Sequence, residues 1–84
     1  MKYRIFIQRP AQKDLAKIPN PYRDRIIQAI RELGVNPRPT GVKKLTGRNA
    51  WRIRISDYRI IYEIYDDKLV VVVITIGHRR EIYR

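Results

Sequence analysis

The chain contains no cysteine, which removes disulfides, thiol nucleophiles and zinc ribbons together and suits a reducing compartment. Its one histidine, His78, cannot build a metal site of ordinary ligand type, nor supply the paired-histidine acid and base of many ribonucleases. Long apolar runs are missing as well. The longest, Leu69 to Ile74, falls far short of a membrane span, and the opening MKYRIFIQRP interrupts its apolar residues with charge, unlike a secretory signal. These features predict a cytoplasmic protein with no membrane role, no metal and no small-molecule cofactor. Acidic residues are scarce too: eight Asp plus Glu face nineteen Lys plus Arg, a net charge of +11 on 84 residues. Self-repulsion on that scale destabilises a compact state. A polyanionic partner relieves it, nucleic acid ahead of an acidic protein.

What is present reads as one small folded domain, 1–84, because 44% hydrophobic and 32% charged residues spread along the length argue against disorder. Lys2 to Gln8 alternates, with Tyr3, Ile5 and Ile7 on one side, predicting a half-buried first strand. Pro10 suits the first position of a helix whose apolar face is Ala11, Leu15 and Ile18, ended by Pro19-Asn20-Pro21. Asn20 as N-cap and Pro21 as first residue open a second helix. Its Tyr22, Ile26, Ile30 and Leu33 recur at helical spacing, with Gly34 as the stop. Residues 35–49, holding Pro37, Pro39, Gly41 and Gly47, read as one long irregular segment. Strands at 50–55, 58–65 and 68–76 follow, joined by short turns at Ser56-Asp57 and Asp66-Asp67. The predicted architecture is α+β in the order β-α-α-β-β-β: two layers, an antiparallel sheet with both helices packed on one face.

A two-residue turn at Ser56-Asp57 sets the hairpin register, so that Ile55 faces Tyr58 and Arg54 faces Arg59. Trp51, Ile53, Ile55, Tyr58, Ile60, Tyr62, Ile64, Leu69, Val71 and Val73 then share a nearly apolar side that meets the helices. The other side carries Arg52, Arg54, Arg59 and Glu63 among Ile61, Val70, Val72 and Ile74. Cations opposed at a β-carbon separation of about 5 Å repel one another. A phosphate lying between them turns that repulsion into binding. Gly77 is expected to end the last strand, and strand parity carried past it brings His78 near the arginine side. There its unperturbed pKa suits proton transfer near neutrality, or it contacts phosphate. Arg79, after the glycine, can swing toward the same face, and Lys43 and Lys44 in the loop before the second strand are placed to touch a nucleic-acid backbone. The tyrosines and Trp51 fall mostly on the packed side and read as core, not as a base-stacking platform.

The order of elements, the phrase KKLTG, the string WRIRISDYRIIYEI across the hairpin, VVVVITIGHR and the closing EIY together resemble the RelE-type toxins of bacterial and archaeal toxin–antitoxin systems, within the RelE/ParE superfamily. The likeness spans essentially the whole chain; its specificity lies in the order and spacing of words that are individually short. It implies a microbial-ribonuclease-like fold and a ribosome-dependent endoribonuclease that cuts mRNA in the A site without metal. Translation would stop, and a cognate RelB-like antitoxin would hold the toxin silent. In that family the ribose 2′-hydroxyl attacks the adjacent phosphorus and expels the 5′-oxygen. Carried over position by position, the resemblance implies catalytic roles for Arg52, Arg54, Arg59, Arg79 and Tyr83, with Lys43, Lys44 and His78 binding RNA. Two departures matter. Both second-strand sites hold arginine, whose pKa above about 12 disqualifies it as a general base, so His78 and Tyr83 remain to move the proton. The sequence also stops one residue past Tyr83, so the C-terminal helix of some members is not expected. Two other readings stay open: a ParE-like inhibitor of DNA gyrase, and a catalytically inactive RNA-binding relative.

Overall fold

The computed structural model describes residues 2–78. Among them the chain forms β1 (Arg4–Ile7), α1 (Arg9–Lys17), α2 (Tyr22–Leu33), β2 (Lys43–Lys44), β3 (Trp51–Ile55), β4 (Tyr58–Tyr65) and β5 (Val70–His78). The strands make one sheet in the order β1-β5-β4-β3-β2. Both helices cover the same side of it: Ala11, Ile18, Ile26, Ile30 and Leu33 join Ile60, Tyr62, Ile64, Val71, Val73 and Ile76 in one core. The two-layer α+β plan therefore stands. It departs from expectation at both edges of the sheet. β1 pairs with β5 in parallel, Arg4 against Val70 through Ile7 against Val73, so the sheet is mixed and not wholly antiparallel. Nothing local announces this pairing, because β1 reaches β5 only through the crossover that the helices make. At the other edge the two residues of β2 pair antiparallel with β3 inside what reads as a loop.

The helix ends refine the sequence reading. The N-cap of α2 is Pro21 and not Asn20, so both residues sit one place earlier than expected; from outside the helix Asn20 still reaches its first turn, Oδ1 accepting the Asp24 N–H at 3.1 Å. Gly34 ends α2 in ordinary helical conformation, φ −67° and ψ −28°, so a left-handed stop is not what requires glycine there. Close approach is. A β-carbon at Gly34 would lie 3.1 Å from the Tyr3 carbonyl oxygen and 3.2 Å from that of Arg31, and the Tyr3 N–H donates to the Gly34 carbonyl at 2.7 Å. The end of α2 is thereby stitched to the start of β1.

The β4–β5 turn is longer than two residues. Leu69 takes a φ of 54° within it and leaves the packed side of β5, while the strand continues through Gly77 to His78 and does not end at the glycine. Within that turn the Asp66 carboxylate receives both Arg38 guanidinium nitrogens, at 3.1 and 2.8 Å, and the Tyr3 hydroxyl at 2.5 Å. The Arg38 hydrogen bonds first, then that of Tyr3, pull the Asp66 carboxyl down to about 2. Next to this bridge the buried Tyr62 hydroxyl donates to the Pro37 carbonyl at 2.8 Å, and burial pushes the Tyr62 phenol well above its usual range. Together these contacts fasten the 35–42 loop to the end of β4 opposite the arginine hairpin. No helix among the described residues is long and apolar enough to cross a membrane.

β5 also carries one extra residue. Ile61 pairs with Thr75 but Tyr62 with Val73, leaving Ile74 as a bulge that reverses side-chain parity for the rest of the strand.

Candidate nucleic-acid interface

The hairpin register is the one the turn predicts, Ile55 against Tyr58 and Arg54 against Arg59. Ser56 adopts a φ of 56°, as the first position of a tight primed turn does, so two residues suffice to reverse the chain. The helix-free side of the sheet then gathers cations in two adjacent rows. Lys43, Arg52, Ile61 and Thr75 form one; Arg54, Arg59 and Gly77 form the next. Their exposure is graded. Arg54 is open to solvent, Arg52 is half-buried, and Arg59, at 8% exposure, is the only buried charged residue among those described. A guanidinium held so far from water attracts an incoming phosphate more strongly than a surface cation does. On one side of Arg59 stands Arg54; on the other is the bare backbone of Gly77.

Of the other sequence-predicted residues, the structure joins some to this face and separates others. Lys43 pairs with Arg52 and enters the cationic row. Lys44 pairs with Trp51 on the opposite side, where its Nζ lies 5.7 Å from the indole centroid and Arg38 Cζ lies 5.0 Å from it. The alternation of a two-residue strand separates them, a distinction a loop reading misses. Glu63 shares the arginine side but sits in the row of Val72, with its Oε1 accepting the Tyr65 hydroxyl at 2.6 Å. That hydrogen bond pushes the Tyr65 phenol up.

The placement of His78 is corrected. The Ile74 bulge turns it away from the arginines, and it pairs with Tyr58 on the helix side, the two rings edge to face at 5.7 Å. Simple parity along VVVVITIGH could not reveal the reversal, since an extra residue inside a continuous apolar run disturbs no pattern. Arg79 and Tyr83 lie outside the described residues. Among the described residues no cluster of three or more His, Asp or Glu stands ready to hold a metal ion. What the arrangement can do chemically is grip a phosphate between fixed cations and stabilise added negative charge on it.

Fold and face thus define a small α+β protein with a cationic surface on the helix-free side of its sheet. Residues 5–83 match the family of ParE toxins of type II toxin–antitoxin systems, parDE. The mRNA interferase toxin RelE of Escherichia coli K12 is 29% identical over 87 residues, spanning 99% of this chain and 92% of that one. Toxin RelG of Mycobacterium tuberculosis is 31% identical over 90 residues, spanning 100% and 99%. The archaeal RelE–RelB complex from Pyrococcus horikoshii superposes with a TM-score of 0.85 at 28% identity, covering 94% of this chain and 97% of its counterpart. The chain belongs to this family of type II toxins and is of the RelE type.

Proposed function

We propose that this toxin is a metal-independent endoribonuclease that cuts messenger RNA in the ribosomal A site, and that a RelB-like antitoxin silences it. The observation that carries the reading is the opposition of Arg54 and Arg59 beside Arg52 and Lys43 on one sheet face. The 2′-oxygen forms a bond to phosphorus while the bond to the 5′-oxygen breaks. Arg54 and Arg59 hold the non-bridging oxygens, on which negative charge grows in the pentacovalent transition state, an effect of about 2.7–4 kcal/mol for one well-placed donor. Arg52 and Lys43 hold the flanking backbone, and Arg79 contacts the same phosphate. The 2′-hydroxyl must lose a proton, and the leaving 5′-oxygen takes one from solvent water, leaving a 2′,3′-cyclic phosphate and a free 5′-hydroxyl. Arginine cannot take the first, and His78 faces Tyr58 on the other side of the sheet, so we assign that role to Tyr83. The ribosome supplies the orientation of the 2′-hydroxyl that a small protein alone does not.

Relatives named mRNA interferases and a RelE–RelB complex at TM-score 0.85 support both parts of this reading. The ParE family match favours a second, inhibition of DNA gyrase. Primer extension on translating ribosomes, run beside a gyrase supercoiling assay, separates them. New message ends at A-site codons with normal supercoiling support the nuclease. Intact messages with blocked supercoiling overturn it.

A further inference from the structure

Beside the His78 and Tyr58 rings, on the side of the sheet away from the arginines, opens a cavity of about 310 Å³. Asp14 and Lys17 of α1, Tyr58 of β4, and Gly77 and His78 of β5 line it over an apolar floor that includes Ile76. Tyr22, at the start of α2, backs Tyr58 with its ring at 5.8 Å. The volume is at the low end of the roughly 300–1,000 Å³ typical of small-ligand sites and suits one planar heterocycle. The lining narrows the ligand further. A free anion meets the Asp14 carboxylate, a cation meets Lys17, and a purely apolar group meets both. A nucleobase fits all of it: a π-face against the aromatic rings, N–H groups donating to Asp14, and a carbonyl or ring nitrogen accepting from Lys17.

Position links this cavity to the phosphate grip. Gly77 serves both, pairing with Arg59 in the cationic row and lining the cavity with its backbone. The Tyr58–His78 pair is one residue along the same two strands from Arg59–Gly77, a step of about 3.8 Å between α-carbons. An RNA strand gripped at Arg59 can therefore round the end of the sheet and present its adjoining base here. The bulge at Ile74 is what aims His78 into this place, a common use of bulges beside functional sites.

We propose that this cavity is a nucleobase subsite for the nucleotide next to the phosphate held by Arg54 and Arg59. It rests on the RNA-cleaving reading for its substrate class but is tested without cleavage. The full chain is titrated with the four nucleoside 5′-monophosphates, and separately with ribose 5-phosphate and inorganic phosphate, while the Tyr58 and His78 ring resonances are followed by NMR. Nucleotides shift both rings and the base-free phosphates do not. Asp14→Ala weakens nucleotide binding by about tenfold, as loss of one charge-assisted hydrogen bond implies, with the remaining spectrum preserved. Equal shifts with inorganic phosphate, or unchanged affinity in Asp14→Ala, overturn the subsite. A toxin that cuts message yet moves neither ring loses only this subsite; one that binds nucleotides at these rings yet cuts nothing loses only the nuclease reading.

Discussion

Arg54 lies directly across from Arg59 in the β3–β4 ladder, two like charges paired one step in from the hairpin turn. Such a pair costs about 0.2–1 kcal/mol relative to a neutral one. The strand-compatible substitution Arg54→Thr should therefore raise the thermal midpoint while lowering message cleavage by about 10²-fold, the low end for losing one transition-state donor. Calorimetry beside a cleavage assay checks this. A variant that loses stability, or gains it with full activity, removes the reason given for keeping the pair.

Lys43 and Lys44 adjoin in sequence and part in space, one beside Arg52 and the other against the Trp51 ring. Lys43→Ala should flatten the dependence of log affinity on log salt by about 0.7 unit for single-stranded RNA, whereas Lys44→Ala should change it much less. Binding isotherms across several salt concentrations test the contrast. Equal losses would place both lysines on the RNA.

The Asp66 carboxyl, drawn from an ordinary 3.8 to about 2 by Arg38 and Tyr3, carries a defined pH signature. Its folded-state pKa is depressed, so the stability from the bridge is fully present above about pH 4 and drains away as pH falls toward 2. Asp66→Asn should flatten that part of the stability curve. An unaltered acid limb in the variant would assign acid sensitivity elsewhere.

Tyr62 closes the core over the 35–42 loop through a buried hydrogen bond to the Pro37 carbonyl. Tyr62→Phe keeps the ring and deletes the hydroxyl, so denaturant unfolding should register a loss of about 0.5–1.5 kcal/mol with an unchanged m-value. No loss would mean that water satisfies the carbonyl equally well.

Legibility in the sequence followed the range of the interaction. The Arg54–Arg59 opposition could be read because a two-residue turn dictates register, and the helix faces because Ala11, Ile26, Ile30 and Leu33 recur at helical spacing. The parallel docking of β1 on β5 is a contact between distant segments, and no local pattern encodes it. The Ile74 bulge lies inside an all-apolar run where alternation is silent, so simple parity puts His78 on the wrong side of the sheet. Gly34 was legible as a helix end but not for its reason, since the close approach of the Tyr3 carbonyl exists only in the folded chain.

Single-turnover cleavage of message in stalled ribosomes, comparing the native chain with Arg59→Ala, bears most directly on the phosphate grip. The cleavage rate should fall by about 10²- to 10³-fold while the variant stays folded and still occupies the ribosome. A folded, ribosome-bound Arg59→Ala that cuts at the native rate would contradict it.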